Sequence, residues 1–326
     1  MMLPDIAKKM RARVLRLPEK KVLIANLIDS VEASDKYTIV NCGGFGRIRQ
    51  FSRFSIHLDY LLGYAKPLLR GHPPVDVLRS QVFQLAACNW RCWYCFVDDP
   101  LLNGKDQNAR FFSADELLDL YLAEDDRPKV IDLSGGQPDL VPEWTLWMID
   151  AMARRGLEGS VYLWSDDDLG TDFIWECLSN EEIRRIAESP LHTRVGCFKG
   201  FDEASFSFNT GAPSDQFEMQ FVRFKKLLDA GFDLYAYATL TSSSTEGINK
   251  SIDEFMDRLQ AVHYNLPLRT IPLRICLFSA TRRRSTPEQL ASLESQHAAL
   301  HAWQAALESR YSQDEISIPY DLVSLK

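Results

Sequence analysis

From residue 81 onward the chain alternates short runs rich in β-branched and aromatic residues with longer stretches of helical hydrophobic period. Six runs read as strands: 81–87 (QVFQLAA), 129–134 (KVIDLS), 160–165 (SVYLWS), 193–199 (TRVGCFK), 232–241 (FDLYAYATLT) and 270–278 (TIPLRICLF). Helix signals fall between them. Ser113 with Glu116 spells a capping box, Pro142 opens a helix that Gly156 ends, and Asn180 caps EEIRRIAES. Ser214 caps a helix closed by Gly231, Ser251 with Glu254 spells another capping box, and Thr286 followed by Pro287 starts a long helix to about Ser309. Six strand-helix units in succession predict an α/β fold built on a parallel sheet.

Residues 1–80 stand outside this rhythm, with a basic amphipathic start, a β-like KYTIVNC and the glycine-rich CGGFGRIRQF. No internal repeat, low-complexity tract or long linker divides the chain. We therefore expect an N-terminal extension (1–80), a core (81–280) and a C-terminal helical segment (281–326).

Composition narrows the function classes. At 326 residues, 46% hydrophobic and 25% charged, the chain is long enough for a large core. A formal charge of -8 argues against a general nucleic-acid binder or a membrane-surface protein, which need a basic face. No apolar run approaches the roughly 20 residues of a bilayer span, and MMLPDIAKKMRARVLRLPEKK lacks the apolar centre of a signal peptide, so a cytoplasmic protein is expected. Seven cysteines, an odd number with three inside eight positions, point to metal or redox chemistry in a reducing compartment rather than to a disulfide framework.

Those three, Cys88, Cys92 and Cys95, spell CxxxCxxC directly after the first strand. A zinc site wants four tetrahedral ligands, and no fourth stands near Cys95. Three thiolates on one loop can instead hold three irons of a cubane and leave the fourth open. With Tyr94 just before the last cysteine, and Ser134, Gly135, Gly136, Gln137 and Pro138 at the end of the second strand, the sequence resembles the radical S-adenosylmethionine (SAM) superfamily, whose motifs are CxxxCxxC and GGEP. Gln137 stands where that family usually has Glu. The stretch from Lys199, Gly200, Phe201 and Asp202 to Thr210 and Gly211 is similar to the activating-enzyme branch, in which a lysine near the strand end helps to bind SAM.

The resemblance spans residues 81–280 in the right order. It implies a partial (β/α)6 barrel with its site at the C-terminal strand ends, where parallel barrels place their chemistry. It also implies a [4Fe-4S] cluster on Cys88, Cys92 and Cys95 whose open iron is chelated by SAM, with one electron from a flavodoxin or ferredoxin cleaving SAM to a 5′-deoxyadenosyl radical. Contacts to SAM are then expected from Tyr94, Ser134, Gly135, Gly136, Gln137, Pro138, Ser165, Asp166 and Lys199. The substrate is expected to be a small molecule. The alternative is a protein- or peptide-modifying enzyme such as a glycyl-radical activase.

Other features carry blander readings. The run Asp166, Asp167, Asp168 reads as a solvated turn, although its place at a strand end also suits a substrate contact. Gly43, Gly44 and Gly46 with Arg47 and Arg49 read as a tight turn bearing surface arginines, since no GK[ST] follows. Arg282, Arg283 and Arg284 read as a solvated basic loop. Cys42, Cys177, Cys197 and Cys276 are scattered singly, as buried cysteines are. Of His57, His72, His192, His263, His297 and His301, only the last two share a helical face, without a third ligand.

Overall fold

The computed structural model describes residues 3–35, 38–52 and 77–325. Its strands are β1 (Leu15–Arg16), β2 (Lys21–Ala25), β3 (Thr38–Asn41), β4 (Gly46–Ser52), β5 (Val77–Phe83), β6 (Ala109–Ser113), β7 (Val130–Leu133), β8 (Tyr162–Asp167), β9 (His192–Phe198), β10 (Leu234–Thr239) and β11 (Thr270–Leu273). Among the described residues the main sheet has eight strands in the order β11-β10-β9-β8-β7-β5-β4-β3. From β5 to β11 every neighbouring pair in that order is parallel. These six are the strands expected from the sequence, in sequence order. The sheet is open, and its β5 edge is extended by two antiparallel strands, β4 and β3. A small antiparallel sheet, β1-β2-β6, packs beside it.

Both faces of the parallel strands are covered, which is why they read as near-continuous apolar runs. All seven residues of β9 are buried. Alternation then sorts them. Val130, Tyr162, Trp164, Val195, Cys197, Tyr235 and Ile271 form one inner cluster, with Trp164 and Tyr235 edge to face at 4.9 Å. The opposite face, including Leu163, Phe198 and Leu234, packs against helices in two larger cores.

Helix boundaries follow local chemistry, with four departures from the sequence reading. The Ser113 and Thr286 caps form as expected, the latter opening Pro287–Arg310. Gly156 and Gly231 close their helices at φ of 66° and 87°. Ser179 rather than Asn180 caps Asn180–Ala187, because its hydroxyl and Glu182 complete a capping box. Asp215 rather than Ser214 precedes Gln216–Asp229. Ser251 caps nothing: the helix already starts at Ile248, after Gly247 in the left-handed region, so Ser251 N–H bonds Gly247 carbonyl inside it. A further capping box, Asp202 with Ser205, opens Glu203–Thr210 in a stretch with no expected helix.

Strand ends shift too. β5 stops at Phe83, four residues short of the expected end, because Gln84 and Ala86 turn to bond β2: Ala25 N–H donates to Gln84 carbonyl and Ala86 N–H to Leu23 carbonyl, each at 2.9 Å. β11 is four residues long instead of nine. Arg47 is not a surface arginine. It is buried in an ion pair with Glu32, 2.5 Å from Nη1 to Oε2.

Candidate metal and cofactor site

Chain leaving β5 and β7 meets at the C-terminal end of the sheet. Gly136 is what lets them close: at φ 66°, a Cβ there would stand 2.1 Å from Leu85 carbonyl oxygen, and Gln137 N–H donates to Ala87 carbonyl at 2.7 Å. The glycine turn is thereby laced to the backbone immediately before Cys88. Among the described residues, Cys88 and Cys95 are partly buried and Cys92 is buried.

The cysteine loop is held from several directions. Cys95 N–H donates to Cys92 carbonyl at 3.1 Å, and Trp90 N–H points at Cys88 sulfur at 3.4 Å. Asn209, fully buried on the helix after β9, ties the loop to the sheet. Its Oδ1 accepts from Trp93 Nε1 at 3.0 Å and from Thr241 Oγ1 at 2.7 Å, while its Nδ2 donates to Lys199 and Thr241 carbonyls, both at 3.0 Å. From beyond β11, Thr281 Oγ1 donates to Tyr94 and Cys95 carbonyls at 3.2 Å, and Arg284 donates to Val97 carbonyl. Glu32 carboxylate accepts from Asp98 N–H at 2.9 Å and from Gln84 Nε2 at 3.3 Å.

Burial pushes the Cys88 and Cys95 thiols up and takes Cys92 to about 11, with neighbouring thiols adding repulsion in each anionic form except at Cys95, where Glu32 adds it. Burial alone would depress the Lys199 ammonium. The surrounding Cys197, Tyr94, Cys92 and Asp168 outweigh it and raise the group, so a cation stands beside the thiols. Burial and Asp167 raise Asp168 to about 7 against the pull of Lys199.

The donor set suits an iron-sulfur cluster. Three thiols on one shielded loop resist ionising by themselves, and a polynuclear cation supplies the charge that stabilises them as thiolates. Among the described residues no three His, Cys, Asp or Glu side chains converge on a point that could hold a single metal ion. A cubane asks for no such convergence, since it takes each thiolate at a different iron.

The other expected contacts divide between two faces. Lys199 and Asp166 lie at the inner face with Cys197 and Tyr237; Asp166 accepts from Ser134 Oγ at 2.6 Å and Trp164 Nε1 at 3.0 Å. Tyr94 reaches the end of β10, where its hydroxyl accepts from Thr239 Oγ1 at 2.9 Å. Gly135 and Gly136 form the turn, with Pro138 opening the short helical turn Pro138–Leu140. Ser165 is not brought to them: it faces the helices, 2.9 Å from His192 Nε2. Gln137 is buried, and its side chain turns toward Asp167 and Asp168.

The acidic run is no solvated turn, since Asp167 and Asp168 are buried and each accepts a backbone N–H, from Leu169 at 2.7 Å and Gly170 at 2.8 Å. Nor is 282–284 a free basic loop: Arg284 meets Val97 carbonyl and Asp99, and Arg283 lies 3.8 Å from Asp98. His297 and His301 are exposed, and His57 and His72 lie outside the described residues. Sequence reasoning misses Asn209, Glu32 and Thr281. Asn209 alone leaves a trace, lying in the stretch that resembles the activating enzymes.

A groove of about 380 Å³ between Leu3–Val14 and Phe173–Cys177 is lined by Leu15, Leu17, Phe173 and Cys177, and not by Cys88, Cys92 or Cys95. Among the described residues no helix is long and apolar enough to cross a membrane.

No protein-family model matches the chain, and no curated protein matches it. Solved structures do. SuiB of Streptococcus suis bound to the precursor peptide SuiA is 19% identical over 54% of this chain and 36% of SuiB, with a TM-score of 0.38. SuiB bound to S-adenosylmethionine gives 20%, 54%, 37% and 0.38. Polyhistidine-tagged anSMEcpe with bound AdoMet is 14% identical over 53% of this chain and 45% of its own, with a TM-score of 0.36. The chain thus spans little more than a third of SuiB.

Proposed function

We propose that this protein is a radical SAM enzyme on a partial (β/α)6 barrel, acting in the cytoplasm on a small molecule with a flavodoxin or ferredoxin as electron donor. One observation carries the reading: the CxxxCxxC thiols sit on a shielded loop at the C-terminal end of the first parallel strand, laced to a glycine turn and flanked by the Lys199 ammonium. Cys88, Cys92 and Cys95 would hold a [4Fe-4S] cluster, and residues 134–138 with Asp166 and Lys199 would hold SAM. Bound together, these groups supply reductive cleavage of SAM to a 5′-deoxyadenosyl radical. The chain's part is binding and exclusion. Lys199 offers a charge to a carboxylate or ribose, the turn at 135–136 closes tightly on the backbone before Cys88, and Trp90, Trp93 and Tyr94 keep water from the loop.

Anaerobic reconstitution tests this. The wild type should hold about four irons and four sulfides per chain. With dithionite it should form 5′-deoxyadenosine from SAM even without substrate, and Cys92→Ala should form none above a no-enzyme control. Stoichiometric zinc with no SAM affinity would end the proposal, and a Cys92→Ala protein that matches the wild type would remove that cysteine from the ligand set.

A further inference from the structure

Gln137 occupies the place where the resemblance leads one to expect glutamate, and its surroundings show what an amide does there. Its Oε1 accepts from Asp168 N–H at 3.2 Å, and its Nε2 donates to Asp167 Oδ1 at 3.4 Å. The reverse orientation would set an oxygen against a carboxylate and an N–H against an N–H, so the two contacts fix the amide. Only a side chain carrying one acceptor and one donor makes both.

What it holds is the turn after β8, residues 167–170. That turn walls the cysteine loop. A Cβ on Gly170 would meet Asn89 Nδ2 at 2.5 Å and Trp90 Nε1 at 2.6 Å, and Asp168 Oδ2 lies 3.8 Å from Cys88 sulfur. Three carboxyl groups around Gln137, of Asp139, Asp167 and Asp168, already share two cations, Arg194 and Lys199. Asp139 and Asp167 share one guanidinium: Arg194 pairs with Asp139 and lies 3.5 Å from Asp167. Arg194 is fully buried, and Gln137, Asp139, Asp167 and Asp168 are buried with it. An ionised glutamate at 137 would add a fourth carboxylate to a cluster whose two cations are already shared and would lose the donor to Asp167, and keeping the donor would require it to hold a proton.

We propose that Gln137 is a positioning residue whose side-chain amide sets the 167–170 turn against the cysteine loop, and that this chain requires the amide at a position where the resemblance implies an acid. The part of the proposal that concerns a cluster rests on the function proposed above. The pairing itself does not.

The test is a double-mutant cycle of wild type, Gln137→Glu, Asp167→Asn and the two together, the Asp167→Asn protein alone measuring what is lost at Arg194 and Leu169 N–H. In metal-free protein, Gln137→Glu should melt roughly 3 °C or more below the wild type at neutral pH, on the usual scaling of stability to melting temperature for a chain of this size, and the double variant should lose less than the two single losses added. After reconstitution, the reduced electron paramagnetic resonance spectrum, normalised per iron, should change shape in Gln137→Glu and return toward wild type in the double variant. A Gln137→Glu protein that melts with or above the wild type overturns the proposal. A lower melting temperature with an unchanged normalised spectrum reduces Gln137 to a structural residue, and losses that simply add in the double variant remove the carboxylate collision as the cause. If the wild type takes up no iron, the functional proposal fails, and the melting series still decides the pairing.

Discussion

Replacing Asn209 by alanine is expected to loosen the cysteine loop and cost more than its size suggests. All four hydrogen-bonding positions of this amide are filled: two donors, Trp93 Nε1 and Thr241 Oγ1, meet its oxygen, and two carbonyls, of Lys199 and Thr241, meet its nitrogen. The side chain is fully buried, so truncation strands four groups away from bulk solvent. At about 1 kcal/mol net for each bond, with part of the loss recovered if a water enters the vacancy, the cost comes to about 3–4 kcal/mol. At about 1.5 °C per kcal/mol for a chain of this length, the metal-free protein should melt roughly 5–6 °C lower. Asn209→Asp, nearly the same shape, should be no better, because it sets a carboxylate oxygen against two carbonyls. Differential scanning calorimetry on metal-free protein, with urea unfolding as a second measure, reads both variants. An Asn209→Ala protein within about 1 kcal/mol of the wild type would show that the four bonds are not what holds the loop.

Three further expectations follow from other parts of the site. Gly136→Ala forces a Cβ to within 2.1 Å of Leu85 carbonyl at a left-handed φ, so it should abolish tight SAM binding and lower stability, as isothermal titration and calorimetry would report; wild-type behaviour would mean that the turn is not closed against Leu85. Lys199→Ala should weaken SAM binding partially while iron content stays intact, and unchanged affinity would return this lysine to a purely structural role. His192, lowered to about 3 by burial and by Arg194, stays neutral when folded, whereas the unfolded chain takes up a proton below about pH 6.5. The unfolded state therefore binds more protons between those values, and stability should fall by about 2 kcal/mol from pH 6.5 to about pH 5. In His192→Gln that slope should flatten, and an equally steep profile would assign the acid loss to other groups.

Much of this architecture could be read from the chain because period and punctuation agreed: six apolar runs became six parallel strands in order, and Ser113, Gly156, Gly231 and Thr286 marked their helix ends. Boundaries failed where a tertiary bond overrode local preference. Gln84 and Ala86 look like strand and are taken by β2, while Ser251 looks like a cap and lies inside a helix that Gly247 had already begun. The cysteines were legible because their spacing is local. Their support was not, because Glu32, Asn209 and Thr281 reach the loop from 66, 116 and 186 positions away, and a single sequence gives no sign of such pairings. Charge misled in the same way. Arg47 and Asp167 look like surface residues until their partners, Glu32 and Arg194, are seen in space.

The clasp around the cysteine loop bears on the order of events during synthesis. Asp35 carboxylate accepts from Ser279 hydroxyl at 2.7 Å, joining positions 244 residues apart, and two residues further on Thr281 closes over the carbonyls of Tyr94 and Cys95. A nascent chain exposes its three cysteines long before either segment near 280 has left the ribosome. During that interval the thiols are present but unenclosed, open to stray metals and oxidants. Enclosure of the thiols is therefore a property of the nearly finished polypeptide, completed only when the segment around Thr281 joins the loop.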